Sequence, residues 1–358
     1  MKSTSRPQRR AVHKPESKKA PKRINLAIQG GGSHCAFAWG VMDKLLEDGR
    51  VEIEGLSGTS AGSMNAVVYA YGKIRGNDGA REALHNFWHA ISEAGERFNP
   101  IRLMPWERFL QGWNLDHCFA AEAFKLMTST FSPYQLNPHN FNPVRTVLEE
   151  QVDFDELERA STTKLFLAAT NVRTGKVRVF HAHEITSDVV LASACLPQLF
   201  QAVEIDGEHY WDGGYMGNPV LYPLFRHTVT RDVVILHINP IERPGLPTLS
   251  HEIFNRVNEI TFNSSLMKEL RAICFVQKML DEGWIKEEYR QNLKYVLIHS
   301  VRADNALSDL SVTSKFASDW AFLTMLRDRG RACAEIWLER HFDDLGVRSS
   351  VDLENEFL

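Results

Sequence analysis

The five residues GTSAG at 58–62 constrain the fold more than any other part of the sequence. They follow VEIEGLS, which is typical of a strand, and lead into SMNAVVYAYG, which is typical of a helix. A direct strand-to-helix turn needs glycine at Gly58 and Gly62, because side chains there would clash with the neighbouring strand and helix. The turn lifts the Ser60 hydroxyl clear of the backbone at a helix N-terminus, which is typical of a nucleophilic serine.

Short apolar runs alternate with helical patterns along the chain. The predicted strands lie at 24–29, 51–57, 164–170, 176–180, 202–205, 232–238 and 295–300, and a further strand precedes residue 212. Strands that alternate with helices predict an α/β fold with a mostly parallel sheet covered on both faces. The length of 358 residues suits one large domain with additions. We assign 24–240 to a catalytic domain and 241–358 to a C-terminal strand and helical extension packed on the same domain. The extension shows helical patterns over 249–290 and over about 315–341.

Residues 95–143 interrupt this alternation and are predicted to form a cap-like insertion. They combine prolines and glycines with many aromatic residues. Two interpretations remain open: an ordinary packed subdomain, or an apolar wall over a pocket for an apolar substrate.

Residues 1–23 hold nine Lys and Arg and one Glu, although the net charge of the whole chain is −4. This composition predicts a disordered basic tail without the apolar segment of a secretory signal. The tail is either a solvated leader or a contact for anionic lipid head groups. The acidic body behind it argues against nucleic acid as a partner.

Five scattered cysteines without a C-x-x-C pair favour a reducing compartment. His181 and His183 have no third ligand at a recognisable spacing, so we expect no metal site. The longest apolar runs fall short of the roughly 20 residues that a membrane-spanning helix needs. We therefore expect a cytoplasmic protein, with peripheral membrane contact as an alternative.

A nucleophilic serine needs an oxyanion hole, and QGGGSHCAF at 29–37 offers one. Gly30, Gly31 and Gly32 follow the first strand and open a helix, so their N–H groups are expected to be free to bind an anion. A dinucleotide-binding motif would need glycine where Cys35 stands, and a phosphate-binding loop would need G-K-[ST], which is absent.

The candidate base is Asp212, within YWDGGYMGNP at 210–219. Gly213 and Gly214 follow it directly, so its loop is expected to approach the serine turn closely. That approach leaves little room for a histidine between Ser60 and Asp212.

Together, the glycine-rich loop GGGSHC, the turn GTSAG and the DGG loop resemble the patatin-like phospholipase family. The resemblance covers about residues 24–240. It implies a three-layer α/β/α patatin-like fold and lipid acyl hydrolysis through a Ser–Asp dyad, with neither metal nor cofactor. It also implies that Ser60 is the nucleophile, Asp212 the general base and Gly30–Gly32 the oxyanion hole.

Two residues depart from the family loop, which usually reads Gly-Gly-Gly-x-Arg/Lys-Gly. His34 stands where the family has a permanent cation, and Cys35 stands where it has the last glycine. Cys35 is either a small packing residue or a thiol whose pKa is lowered at a helix N-terminus.

The implied activity has alternatives. The substrate is either a phospholipid or another acyl substrate, such as a small ester, a thioester or a polyester. A second alternative is that the chain is a lipid-binding regulatory module without useful turnover. The presence of Ser60, Asp212 and both glycines of the serine turn favours an enzyme.

Overall fold

A computed structural model describes residues 20–101, 112–116, 118–243 and 245–357. The predicted basic tail lies outside the described residues as far as residue 19. The strands within the described ranges are β1 (Lys22–Ile28), β2 (Val51–Thr59), β3 (Lys164–Asn171), β4 (Val177–His181), β5 (Val203–Ile205), β6 (Glu208–Asp212), β7 (Asp232–His237) and β8 (Leu297–Arg302). The predicted strands are therefore confirmed, with ends that differ by one or two residues.

One boundary needs correction. Strand β1 begins at Lys22, whereas the sequence predicted a disordered tail up to residue 23. Lys22 pairs with Val51 of β2, and its Nζ donates to the carbonyl oxygens of Phe342 and Leu345 at 2.9 and 3.0 Å. These partners lie far away in sequence, so the charge pattern alone could not reveal them.

The strands form one sheet in the order β5-β6-β3-β2-β1-β7-β8, with β4 also paired to β3. Strands β3, β2, β1, β7 and β8 run parallel to one another. Strands β4 and β6 pair antiparallel to β3, and β5 pairs antiparallel to β6. The prediction of a mostly parallel sheet is confirmed, and its antiparallel part lies at the edge that carries Asp212.

Helices cover both faces of the sheet. The described helices are α1 (Ala36–Asp48), α2 (Ala61–Lys73), α3 (Gly76–Phe98), α4 (Phe119–Thr130), α5 (Pro133–Leu136), α6 (Pro143–Gln151), α7 (Phe154–Ala160), α8 (Ser187–Ser193), α9 (Tyr222–His227), α10 (Ser250–Asp281), α11 (Glu287–Arg290), α12 (Trp320–His341) and α13 (Leu353–Phe357). Within β7, Val234 joins the core with α1, α2, α3 and α12, whereas Ile235 joins the core with α9, α10 and α13. Successive side chains of β7 therefore pack against helices on opposite faces of the sheet, which confirms the three-layer α/β/α fold.

The C-terminal residues contribute to both outer layers and to the sheet. Strand β8 pairs with β7, and α12 packs against α1 so closely that a Cβ on Gly40 would overlap the Arg327 carbonyl. The helical pattern predicted over 249–290 divides at Gly283, whose φ of 72° favours glycine. The helix predicted from residue 315 begins at Trp320, because residues 312–316 form a 3₁₀ turn.

The cap-like region contains α4 and α5, and its first residues belong to the end of α3. Trp106 and Phe109, two of its aromatic residues, lie outside the described residues. Helix α4 has no fully buried residue, and Phe119 at its start is 85% exposed. Within the described ranges, no helix combines the length and apolar character that crossing a bilayer requires.

Candidate active site

Ser60 lies at the direct turn from β2 to α2, as predicted. Its φ of 56° and ψ of −131° are rarely adopted by a residue with a side chain. A Cβ on Gly58 would lie 2.6 Å from the Gly62 carbonyl oxygen, and a Cβ on Gly62 would lie 2.5 Å from the Ile28 carbonyl oxygen. The two glycines are therefore required by close packing against α2 and β1, which confirms the reason given for them from the sequence.

Hydrogen bonds hold the backbone of Ser60 in this conformation. Its N–H donates to Ser193 Oγ on α8 at 3.0 Å. Its carbonyl oxygen accepts from the Ser63 N–H at 2.9 Å and from Ser63 Oγ at 2.5 Å. The Ser60 side chain is free of these contacts and half-buried, so its hydroxyl is presented to the site. Ser193 was not predicted, because an ordinary serine in a short helix carries no sequence signal.

Asp212 ends β6, and its carboxylate is fully buried. Oδ1 accepts a hydrogen bond of 2.7 Å from the Gly214 N–H, whereas Oδ2 has no hydrogen-bond partner among the described residues. Burial raises the pKa of Asp212 from its ordinary 3.8 to about 6, because the carboxylate loses its hydration. The Gly214 N–H and then the Ser60 hydroxyl offset part of this rise in pKa. Ser60 therefore lies beside the carboxylate, although no hydrogen bond of ordinary geometry joins it to Oδ2.

The two glycines after Asp212 let its loop approach the serine turn, as predicted. A Cβ on Gly213 would overlap the Ala168 carbonyl oxygen of β3 and would lie 3.1 Å from Thr59 Cγ2. A Cβ on Gly214 would lie 2.5 Å from the ring of Phe262 on α10. The loop is therefore packed between β3, the end of β2 and α10.

The glycine-rich loop differs from its prediction at one residue. The Gly30 N–H donates to Asn218 Oδ1 at 2.7 Å, and the Gly30 carbonyl oxygen accepts from Asn239 Nδ2 at 2.8 Å. Gly30 is therefore not a free oxyanion donor, contrary to the prediction. It places the loop instead, since a Cβ on Gly30 would lie 2.6 Å from Ser60 Cβ.

The N–H groups of Gly31 and Gly32 remain as candidate donors. In the described part of the chain, neither N–H donates to an oxygen acceptor, although the Gly31 N–H lies close enough to Cys35 Sγ to lower the pKa of that thiol in part. Gly32 begins a 3₁₀ turn with a φ of 55°, a backbone conformation that favours glycine. Of the three glycines predicted to form the oxyanion hole, two therefore remain as candidate donors.

Buried amides fix the strand end that carries this loop. Gln29 Nε2 donates to Asn263 Oδ1 at 2.9 Å, and Gln29 Oε1 accepts from the N–H groups of Ile238 and Asn239 at 2.8 and 3.0 Å. Sequence reasoning missed all three amide residues. Asn218 was also missed, although it lies within the DGGYMGNP loop that the sequence singled out.

The two departures from the family loop are both buried. His34 Nε2 lies 2.7 Å from Ser314 Oγ, and burial lowers the pKa of His34 well below its ordinary value, so the ring is neutral. Cys35 Sγ donates to the Gln29 carbonyl oxygen at 3.2 Å, and burial raises the pKa of Cys35 to about 12. Cys35 is therefore a packed, protonated thiol, and a lowered pKa is the wrong alternative.

A lysine that the sequence did not reveal lies against the glycine-rich loop. Lys315 Nζ donates to Asn239 Oδ1 at 2.7 Å, and a Cβ on Gly32 would lie 2.6 Å from the Lys315 carbonyl oxygen. Burial lowers the pKa of Lys315 to about 8. Local sequence gave no signal for this residue, because it follows the predicted catalytic domain by 75 residues.

No histidine ring among the described residues hydrogen-bonds to Ser60 or Asp212. His237 is buried and stacks on Phe357, and burial lowers its pKa to about 3. His181 and His183 lie near Glu184, but the described ranges contain no group of three His, Cys, Asp or Glu side chains able to hold a metal.

The fold and the site define an α/β protein that presents a serine on a strand-to-helix turn beside a buried aspartate. The chain belongs to the patatin-like phospholipase family, whose family model matches residues 26–224, more than half of the chain. A lipid hydrolase is the function class that this family supports. The match spans the serine turn, the glycine-rich loop and the Asp212 loop. No protein of curated function matches the chain.

Several solved structures are similar to the chain. VipD from Legionella pneumophila is 16% identical with a TM-score of 0.43, and the match covers 90% of this chain and 68% of VipD. The type III effector protein ExoU is 14% identical with a TM-score of 0.33, and the match covers 90% of this chain and 54% of ExoU. A complex of SpcU with ExoU from the type III secretion system of Pseudomonas aeruginosa gives 17% identity, a TM-score of 0.32 and coverages of 89% and 53%. The chain thus spans about half the length of ExoU.

Proposed function

We propose that the protein is a serine lipid acyl hydrolase of the phospholipase A type, acting through Ser60 and Asp212. The observation that carries this proposal is the buried Asp212 carboxylate, which lies beside the Ser60 hydroxyl and whose Oδ2 has no hydrogen-bond partner among the described residues. A carboxylate is a weak base in water, but burial brings its proton affinity closer to that needed near neutral pH.

In the first half of the reaction, Asp212 takes the Ser60 proton as Ser60 Oγ attacks the ester carbonyl. The N–H groups of Gly31 and Gly32 donate to the oxyanion of the tetrahedral intermediate. The ester C–O bond then breaks, and the proton on Asp212 passes to the departing alkoxide. The product is an alcohol and an acyl ester on Ser60.

In the second half, Asp212 takes a proton from water, and the resulting hydroxide attacks the acyl ester. Collapse of the second tetrahedral intermediate releases the fatty acid and returns the proton to Ser60 Oγ. Atoms and charge balance over the two halves without a metal or cofactor. The Gly213 and Gly214 backbone lets one carboxylate serve both steps, because it brings the loop against the end of β2.

The acyl chain of the substrate is assigned to the apolar side chains of the cap-like region. Phe98 and Phe141 stack edge to face with ring centroids 5.1 Å apart, and both rings are about half exposed. Exposed aromatic surface of this kind suits fatty acyl groups better than small polar esters.

The decisive experiment combines a fluorophosphonate probe with fatty-acid release from phospholipid vesicles. We expect labelling and release with the wild-type protein, and neither with Ser60→Ala. Asp212→Asn should release no fatty acid, because an amide cannot accept the proton. The matched control is Ser308→Ala, which removes an exposed serine outside the cap-like region and should leave labelling like that of the wild type.

Two results would contradict the proposal. Undiminished labelling of a folded Ser60→Ala protein would exclude Ser60 as the nucleophile. Labelling of Ser60 with turnover of short soluble esters or thioesters, but none of phospholipid, would instead establish the esterase alternative.

A further inference from the structure

Lys315 lies between the two loops of the proposed site. Its backbone contacts Gly32, and its Nζ lies 5.9 Å from the centre of the Phe262 ring, which itself packs on Gly214. Its charge also acts on Asp212, whose pKa it lowers after the larger effects of burial and hydrogen bonding. The ammonium group is thus close to both the glycine-rich loop and the Asp212 loop.

The Lys315 ammonium has three N–H donors but one hydrogen-bond acceptor among the described residues, the neutral Oδ1 of Asn239. No carboxylate oxygen of the described residues lies within 4.0 Å of it. Lys315 is half-buried, and even the partial burial of a cation without a paired anion costs free energy.

The charged groups around Lys315 act on it from a distance, and none of those in the described ranges forms a direct ion pair with it. His34 and Cys35 are both buried and neutral. Glu259 attracts Lys315, but its carboxylate is bound by Arg243 at 2.8 Å and by Arg256 at 3.2 Å. Asp212 is the remaining anion that acts on the lysine.

We propose that Lys315 supplies the positive charge of the oxyanion site, in place of the loop cation that the neutral His34 does not provide. This inference rests on the proposed function. The ammonium stabilises the negative charge that develops beside Gly31 and Gly32, and Asn239 orients it by holding both Lys315 Nζ and the Gly30 carbonyl oxygen. The cation thus comes from the C-terminal extension instead of from the loop itself.

The test compares Lys315→Met, which removes the charge, with Lys315→Arg, which keeps it. The matched control is Lys286→Met, which removes an exposed lysine beyond the far end of α10. We expect kcat for a soluble ester to fall at least tenfold in Lys315→Met with KM changed less than threefold. Lys315→Arg should recover most of the lost rate, and Lys286→Met should match the wild type.

The pH profile provides a second readout that a structural role would not produce. Since burial lowers the pKa of Lys315 to about 8, wild-type kcat should fall as the pH rises through about 8. This alkaline fall should be absent in Lys315→Met. The wild-type profile tests the inference even where the methionine variant does not fold, because activity constant from pH 7 to pH 10 would overturn it.

The outcomes separate this inference from the proposed function. Wild-type protein that is neither labelled at Ser60 nor active would overturn the proposed function and this inference with it. Wild-type protein that is labelled and active, with a folded Lys315→Met protein equal to Lys286→Met in kcat, would overturn the role of Lys315 alone.

Discussion

Replacing Asp212 by asparagine should stabilise the protein while abolishing turnover. The folded-state pKa of Asp212 is about 6, above its ordinary 3.8, so the folded protein binds the proton more tightly than the unfolded chain. The contribution of Asp212 to the unfolding free energy is therefore highest below pH 3.8 and falls as the pH rises to about 6. At 1.36 kcal/mol per pKa unit, the charged Asp212 costs about 3 kcal/mol at pH 7. The neutral asparagine side chain would avoid this cost and keep an oxygen for the Gly214 N–H.

The assay is urea unfolding of wild-type and Asp212→Asn protein at pH 7.0 and at pH 4.5. The variant should gain up to about 3 kcal/mol at pH 7, and the gain should shrink to about 1 kcal/mol at pH 4.5. Asp304→Asn is the control of opposite sign, because the ion pair of Asp304 with Arg302 contributes to a lowered pKa of Asp304. That variant should lose stability at pH 7. An Asp212→Asn protein less stable than the wild type at pH 7, by an amount independent of pH, would refute the reasoning.

Two further predictions concern the basic N-terminal segment and the residue that holds the glycine-rich loop. A chain that starts at Ala20 keeps Lys22 in β1 and should retain hydrolysis of a soluble ester. It should bind anionic vesicles more weakly at low salt, by up to about 1 kcal/mol per basic residue removed. Unchanged vesicle binding in a flotation assay would contradict a lipid contact of the basic segment. Asn218→Ala should lower kcat about tenfold, because a buried Gly30 N–H left unpaired costs about 1–3 kcal/mol and loosens the loop beside Ser60. The control is Asn305→Ala, which changes an exposed asparagine. Equal kcat in both variants would show that Asn218 does not hold the loop.

Local sequence patterns were sufficient for the serine turn and most of the sheet. The strand before Ser60, the helix after it and the two flanking glycines are adjacent in sequence, so their periodicity and spacing describe the contacts that they make. The same holds for Asp212, whose glycines follow it directly. The catalytic roles of Ser60 and Asp212 remain predictions.

Two of the errors share one physical cause, which is contact between distant parts of the chain. The acceptor of the Gly30 N–H is 188 residues downstream, so nothing near Gly30 indicates that its N–H is occupied. The start of β1 at Lys22 depends on pairing with Val51 and on carbonyl acceptors beyond residue 340. Lys315 lies in a 3₁₀ turn that resembled the start of a helix, because spacing alone does not distinguish the two.

The place of Lys315 in the chain sets when the proposed site becomes complete during synthesis. A ribosome releases Ser60 and Asp212 first, and Asn239, Asn263 and Lys315 follow over about the next 100 residues. At about 5–20 residues per second, the nascent chain holds its serine and aspartate for about 5–20 s without the amides that fix the glycine-rich loop and without the lysine charge. On the proposed mechanism, acyl hydrolysis is therefore withheld from the nascent chain until Lys315 has been synthesised and has folded against the glycine-rich loop.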